Sequence, residues 1–384
     1  MHHSSMSSSG ALRVHARNAD AHAAARLKEG SSPMDAPIRT LLVGIGTRGR
    51  HWTRLVHEEP LTTPVGYVDP DERALAWARD TYGAHPDDCY ESLVQALRAT
   101  QPDLVVLATP PMGHVEEAEA VFAAGADLLA EKPLTLDFAG SLRIVQAAEA
   151  AGRRLMVGLN FRYLPTTLAA KRLIAEEVGK PSFARFIYWL NRDGRRPGIN
   201  KYPLTMRQPM LYEQSIHHLD LFRFTYDAEV ERVWCRCHNP PWSMYADDAT
   251  VAALLEMSDG LLVNYFGTWS GQTKAQEFHW RTDCANGALL QHEQFADLRV
   301  ARPDSAVETP VELPPIENFV DDTRAMLADI ARQLLAGVAR PHPSGIDHLK
   351  TMALTVACDE SNVTGQPVVM AEFYERHGVP EAWR

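Results

Sequence analysis

The chain of 384 residues has no run of about 18 apolar residues, so no helical membrane span is indicated. It also lacks a basic excess. Lys and Arg number 38 against 49 Asp and Glu, a formal charge of −11. That argues against a nucleic-acid partner held through phosphates and against an anionic membrane surface. Cysteine is scarce: five residues, at 89, 235, 237, 284 and 358, an odd number whose spacing fits no disulfide framework. Cys235-Arg236-Cys237-His238 could open a zinc set, but no second pair follows, so no metal is expected. The thiols then read as strand packing in a reducing, cytoplasmic setting. The remaining composition is ordinary, with 45% hydrophobic and 23% charged residues. A wholly disordered or fibrous chain is thereby excluded, and the length suits two domains.

Residues 1–36 stand apart as a Ser/Ala/His-rich stretch with little apolar periodicity and no signal-peptide core. Its basic, Ala-rich part resembles a transit peptide, against which Asp20 and Glu29 count. A leftover expression leader, or a start codon assigned ahead of Met34, suits it better, and disorder is expected.

From residue 37 the pattern alternates. Ile38 to Val43, Val65 to Val68, Leu104 to Ala108, Asp127 to Ala130 and Arg154 to Val157 read as strands. Helical periodicity separates them around Trp52–Val56, Ala74–Ala78, Val115–Ala124 and Phe138–Ala151. Such alternation predicts a parallel sheet with helices on both faces, over residues 37–157. The first strand runs into Gly44-Ile45-Gly46-Thr47-Arg48-Gly49. Gly44 permits the tight turn, Gly46 lets a pyrophosphate approach the backbone, and Gly49 lets helix and strand pack closely. The helix N-terminus then offers unpaired N–H groups to the anion. Asp69 ends the next strand, 20 residues beyond Gly49, where a carboxylate accepts from the adenosine ribose. A carboxylate there repels a 2′-phosphate, which favours NAD, although Arg48 and Arg73 could offset it and leave NADP possible. The bland alternative is a glycine turn that binds nothing, with Asp69 a solvated strand end.

Glu131-Lys132-Pro133 follows the strand Asp127–Ala130, at the sheet edge where ligands bind in doubly wound folds. Lys132 there can hold a substrate hydroxyl, and Pro133 stiffens the loop, with a cis bond as one option. By itself the tripeptide could equally be a solvated loop.

Beyond residue 158 the periodicity changes. Gly158-Leu159-Asn160-Phe161-Arg162-Tyr163 leads to a helix around Leu168–Val178. Strands are then expected at Phe183–Leu190, Val230–Cys237, Thr250–Glu256, Leu261–Thr268, Glu277–Thr282, Ala288–His292 and Leu298–Ala301. Asn286-Gly287 marks a hairpin turn. Leu211–Phe224 reads as a helix with Glu213, His217 and Asp220 at i, i+4 and i+7, hence on one face. A histidine beside a carboxylate is a tunable acid/base near neutral pH. The alternative is a buried histidine satisfied by Glu213. His218 points off that face.

Together these features resemble the glucose–fructose oxidoreductase / inositol dehydrogenase (Gfo/Idh/MocA) family. The resembling motifs are the glycine turn, Ala108-Thr109-Pro110 with His114, Glu131-Lys132-Pro133, Glu213-x-x-x-His217-x-x-Asp220, and the closing Gly345…Ala357…Ser361…Gly365-Gln366-Pro367-Val368. They span about residue 38 to 370. The chain departs from the family's commoner pattern in carrying Glu213 for Asp and Ser215 for Gly. The resemblance implies an α/β fold: an N-terminal Rossmann dinucleotide-binding domain (37–157) and a C-terminal α+β domain (158–384) with a large open, mostly antiparallel sheet. The last helix, about 345–364, is expected to pack back on the first domain. It implies an NAD(P)-dependent oxidoreductase acting on a secondary alcohol of a sugar or polyol. The catalytic set would be Lys132, His217 and Glu213, with Glu213 orienting His217 or a substrate hydroxyl. Thr47, Arg48, Thr109, Pro110, His114, Glu131 and Lys132 would join the glycines and Asp69 around the cofactor. Asn160, Arg162, Tyr163 and His218 would meet the substrate. A homodimer or homotetramer through the open sheet is implied as well.

Two other functions share the fold: a glycosidase working by transient oxidation and elimination, and a nucleotide-loaded sensor without catalysis. The loop 191–208 carries Arg192, Arg195, Arg196, Lys201 and Arg207. It reads either as recognition of an anionic sugar, such as a uronate or sulfo-sugar, or as a solvated loop or subunit contact. Trp189, Trp242 and Trp269 could stack on a sugar ring or simply pack.

Overall fold

A computed structural model of the chain describes residues 36–384. The expectations for the leader, including a start at Met34, lie outside the described residues. The first sheet is built from β1 (Ile38–Val43), β2 (Thr62–Val68), β3 (Cys89–Tyr90), β4 (Leu104–Leu107), β5 (Asp127–Ala130) and β6 (Leu155–Val157). All pairings are parallel, in the order β3-β2-β1-β4-β5-β6. Strands β4, β5 and β6 are buried throughout, as strands covered on both faces must be. The connecting helices are α1 (Thr47–Glu58), α2 (Glu72–Tyr82), α3 (Leu93–Thr100), α4 (His114–Ala123) and α5 (Phe138–Ala151). The order reverses beside β1, so β1 and β4 diverge at their C-terminal ends into a crevice where the glycine turn lies.

Helix α6 (Pro165–Leu173) leads to the second layer: β7 (Pro181–Trp189), a helical segment, then β8 (Val230–His238), β9 (Thr250–Met257), β10 (Leu262–Thr268), β11 (Glu277–Cys284), β12 (Gly287–Gln291), β13 (Arg299–Ala301) and β14 (Glu308–Pro310). The helical segment is a π-turn, Met210–Ser215, continuing as α7 (Ile216–Tyr226). After β14 come α8 (Asp321–Leu335), α9 (Gly345–Thr364), β15 (Val368–Val369) and α10 (Met370–Arg376). The nine strands run β14-β13-β12-β11-β7-β10-β9-β8-β15. All neighbours are antiparallel except β7 and β10. The expected open, mostly antiparallel sheet is thus present. Its burial alternates: Ala184, Phe186 and Tyr188 of β7 face the helices, while Phe183 and Trp189 face outward.

Two helices tie the layers together. The buried stripe Met326, Leu327, Ile330, Ala331 and Leu334 of α8 joins the core of the first sheet, with Ile38, Leu42, Leu104 and Met156. Helix α9 lies between α5 and β8. Ser344 caps it, its hydroxyl accepting from the Asp347 N–H at 3.2 Å. No helix among the described residues is long and apolar enough to cross a membrane.

Candidate active site

A cavity of about 1030 Å³ opens between the C-terminal ends of the first sheet and the inner face of the second. Small-molecule sites span roughly 300–1,000 Å³, so this one can take a dinucleotide and a small substrate together.

Its first wall is the glycine turn. Gly44 has φ +82°, and a Cβ there would stand 2.9 Å from the Ala108 carbonyl carbon. A Cβ on Gly49 would stand 1.6 Å from the Gly44 carbonyl oxygen, so any other residue would separate α1 from the turn. Gly46 has nothing within 4 Å of its missing Cβ and borders the cavity. No side chain caps the N-terminus of α1, and no acid sits in its first turn. Its N–H groups are therefore left for an anion. The Asp69 carboxylate accepts from the Ile45 N–H at 2.7 Å and the Asp71 N–H at 2.8 Å, and it lines the cavity. An oriented carboxylate, an uncapped helix and an open glycine fit a dinucleotide's ribose and pyrophosphate. Neither arginine weighed against Asp69 is free to offset it. Arg48 donates from Nε to Glu131 at 2.6 Å, and Arg73 pairs with Asp71 at 2.8 Å.

Glu131 is largely buried and also accepts from the Trp52 indole at 2.6 Å. Burial pushes its carboxyl up, but Arg48, Lys132 and Trp52 together hold it below the usual range. Gly158 stands against this carboxylate; an added Cβ would lie 3.4 Å from it. Glu131 is thus a clamp between α1 and the loop after β5. Thr109 and Pro110 line the cavity, and the Thr109 hydroxyl donates to Glu117 at 2.6 Å. His114 does not line it. Its ring is buried between the carbonyls of Thr109 and Leu134, both at 2.9 Å, and so braces the Thr109 loop from behind.

The second wall comes from the π-turn and α7. Lys132 follows β5, and the Lys132–Pro133 peptide is cis. Its ammonium donates to the Glu213 carbonyl at 3.0 Å and carboxylate at 3.2 Å. The Tyr202 hydroxyl donates to the other Glu213 oxygen. His217 lies flat on Phe161, ring centroids 4.2 Å apart and planes 17° apart. No protein group among the described residues hydrogen-bonds its ring. Glu213 therefore positions Lys132, and Phe161 orients His217, where the sequence suggested that Glu213 would do so. Burial, then the charge of Lys132, holds His217 well below the usual histidine range. The ring is neutral at neutral pH and can accept a proton.

Of the four residues expected to meet the substrate, one borders the cavity and three take other places. Asn160 lines the cavity, but its amide donates to Asp322. Arg162, Tyr163 and His218 do not line it. Arg162 is buried and donates from Nε to Asp220 at 2.7 Å and from another nitrogen to Asp347. Asp220 is thereby also removed from the face of Glu213 and His217. The Tyr163 hydroxyl donates to Asp329 of α8 at 2.9 Å. His218 is wholly buried against the Tyr265 hydroxyl at 2.9 Å and the Gln214 amide at 3.0 Å. Arg162 and His218 are each next in sequence to a cavity residue, and the backbone turn directs them into the core instead. Tyr202, Phe161 and the paired state of Arg48 carried no motif. Their roles arise from contacts across the layers.

A glycine cradle with an aligned carboxylate, joined through one cavity to a lysine and a neutral histidine, defines an NAD-dependent oxidoreductase. The family comparisons are specific. Residues 38–159 match the Gfo/Idh/MocA oxidoreductase family's NAD-binding Rossmann fold, and residues 167–289 match its C-terminal domain. The chain belongs to the Gfo/Idh/MocA family. It is 33% identical to inositol 2-dehydrogenase 4 of Saccharopolyspora erythraea over 203 residues, 52% of this chain and 57% of that relative. That match spans only about half of the relative's length. It is 25% identical to D-apiose dehydrogenase of Paraburkholderia graminis over 346 residues, 85% of this chain and 88% of that one. Among solved structures, an Agrobacterium radiobacter oxidoreductase in complex with NAD+, L-tartaric acid and magnesium superposes with TM-score 0.81. It is 20% identical and covers 88% of this chain and 99% of its own, a likeness of fold.

Proposed function

We propose that the protein is an NAD-dependent dehydrogenase that oxidises a secondary alcohol of a sugar or polyol. The observation that carries this is the convergence of Lys132, Glu213 and neutral His217 on the cavity that the glycine turn also lines. The names of the relatives point the same way: one acts on inositol and one on D-apiose. When bound, NAD supplies the hydride acceptor. The chain's residues supply the rest. His217 takes the hydroxyl proton as general base. Lys132 donates to the same or a neighbouring hydroxyl oxygen and stabilises the charge that develops there. Glu213 and Tyr202 hold Lys132 in place. Phe161 fixes the plane of His217. Closure between two layers limits water around the pair. Asp69, with Arg48 and Arg73 both paired to other carboxylates, favours NAD over NADP.

The test is one assay with NAD and a panel of nitrophenyl glycosides and their free sugars or polyols. Reduced cofactor should accumulate without nitrophenol. Release of nitrophenol with no net reduced cofactor would instead establish glycoside cleavage and overturn the proposal.

The outward face of the second sheet carries Phe183, Trp189, Trp234, Leu254 and Leu262, all exposed by 40% or more. Registers place Leu262 beside Phe183 and Leu254 beside Trp234, so these side chains form one apolar band. A second copy of the chain covering this band, in a homodimer or homotetramer, is part of the proposed assembly. Light scattering of W234E should show dissociation. The five cysteines are free thiols, which supports a cytoplasmic setting.

A further inference from the structure

Three cations line the cavity: Arg48, Lys132 and Arg192. Two already have carboxylate partners, Arg48 in Glu131 and Lys132 in Glu213. Among the described residues no carboxylate pairs with Arg192. Its guanidinium lies 4.0 Å above the ring of Trp269. Its one side-chain hydrogen bond is a long one, 3.4 Å, to the Tyr245 hydroxyl. Its backbone is fixed at both ends. The Arg192 N–H donates to the Trp269 carbonyl at 2.9 Å, and the Arg192 carbonyl accepts from the Tyr245 hydroxyl at 3.1 Å. The cause is topological. Strands β7 and β10 are the parallel pair, so their C-terminal ends emerge side by side, carrying Arg192 and Trp269.

The other basic residues of the loop do not share this position. Arg207 pairs with Asp359, and Lys201 donates to backbone carbonyls of its own loop. Neither they nor Arg195 and Arg196 line the cavity. Arg192 borders the same cavity as His217, Glu213 and Tyr202, whose hydroxyl holds Glu213. The glycine turn, which would take the cofactor's phosphates, belongs to the first sheet.

We infer that the substrate is an acidic sugar or polyol, and that Arg192, held against Trp269, binds its carboxylate. This rests on the dehydrogenase reading for the word substrate, but the anion site stands on the geometry. A guanidinium seated over an aromatic ring has fewer rotamers left to lose, and its edge can present paired N–H donors that match a carboxylate.

The experiment titrates NADH-loaded protein with matched pairs: glucuronate against glucose, galacturonate against galactose, gluconate against glucitol. Binding is read by calorimetry, and turnover in a separate assay by the appearance of NADH from added NAD+. At least one acid should bind tenfold or more tighter than its neutral partner, and added salt should erode that margin. Arg192→Gln should abolish the margin while leaving NADH affinity within twofold, and Arg192→Lys should retain part of it. Equal binding within every pair would overturn the inference. So would a margin that survives Arg192→Gln, or a loss of NADH affinity in that variant, which would place Arg192 on the cofactor. Turnover of neutral sugars without acid preference sinks this inference and keeps the dehydrogenase. Acid preference without any turnover does the reverse.

Discussion

At one end of the helical segment 210–226, Glu213 and His217 face the cavity. One turn further, Asp220 and Arg223 face the interior. The inner cluster is closed. Arg162, Arg223 and Lys350 are matched by Asp220, Asp347 and Glu229, three cations to three carboxylates. The Thr351 hydroxyl donates to Asp220 at 2.8 Å and accepts from Arg223 at 2.7 Å. Burial works against the Asp347 carboxylate, but the two arginines outweigh it and hold its pKa well below the usual range. The outer cluster is open. Lys132 and Glu213 pair at 3.2 Å, yet both border the cavity, and His217 is neutral and unbonded by protein. The two clusters have similar composition and share a helix. What separates them is the cavity beside one, while the other is paired within itself, with Glu229 at its solvent edge. Charged residues with every partner satisfied hold the structure together. The same residue types bordering a cavity are left accessible to a ligand.

The largest expected effect tests the open cluster. His217→Ala should lower turnover by about 10²- to 10⁴-fold, the usual loss of a general base. NADH affinity, measured by fluorescence, should stay within twofold. Loss of cofactor affinity with retained turnover would move His217 out of the reaction.

Next comes the closed cluster. Asp220→Ala leaves Arg162 with a single carboxylate in the interior. Breaking a buried pair costs about 3–5 kcal/mol, which urea unfolding would read. The protein that remains folded should turn over within a few-fold of the parent. Unchanged stability with lost turnover would erase the distinction between the clusters.

The smallest effect is a pH dependence they share. Burial, as the chief cause, holds His217 well below the usual histidine range, lowers His218 and His348 to about 3, and lowers His51 to about 4. In the unfolded chain these groups protonate near pH 6.5. Between that value and the lower folded values, the unfolded state binds more protons. Stability from these groups is therefore complete above pH 6.5 and is lost as pH falls below it. Neither ring nitrogen of His348 has a protein partner. His348→Leu should make the acid limb of stability shallower by about one proton, measured as unfolding free energy at pH 7, 6 and 5. An unchanged slope would show that His348 protonates alike in both states.

Much of the fold was legible because its signals are local. Strand β1 ends where the apolar run meets Gly44, and α5 ends at Gly152 in the left-handed conformation. The Gly44–Gly49 spacing and Asp69 pointed to a cofactor turn, and the open Gly46 and oriented Asp69 carboxylate fit one. The Leu211–Phe224 periodicity showed a helix, but not that its first turn is a π-turn. Helix α8 has a readable stripe, from Met326 to Leu334, yet nothing in the stripe says that it joins the first sheet's core.

The sequence by itself determined the backbone plan, the family and the residue types at the cavity. Turn glycines, strand alternation and helix stripes act between near neighbours in the chain, and a linear string preserves that information. The tertiary structure alone decided which of those residues face the cavity. It turned Arg162 and Asp220 inward, placed His114 behind the Thr109 loop, stacked Phe161 on His217, and, among the described residues, left Arg192 without a carboxylate. Those outcomes depend on contacts between elements far apart in the chain, where packing and charge pairing settle which groups are satisfied and which are left facing a cavity.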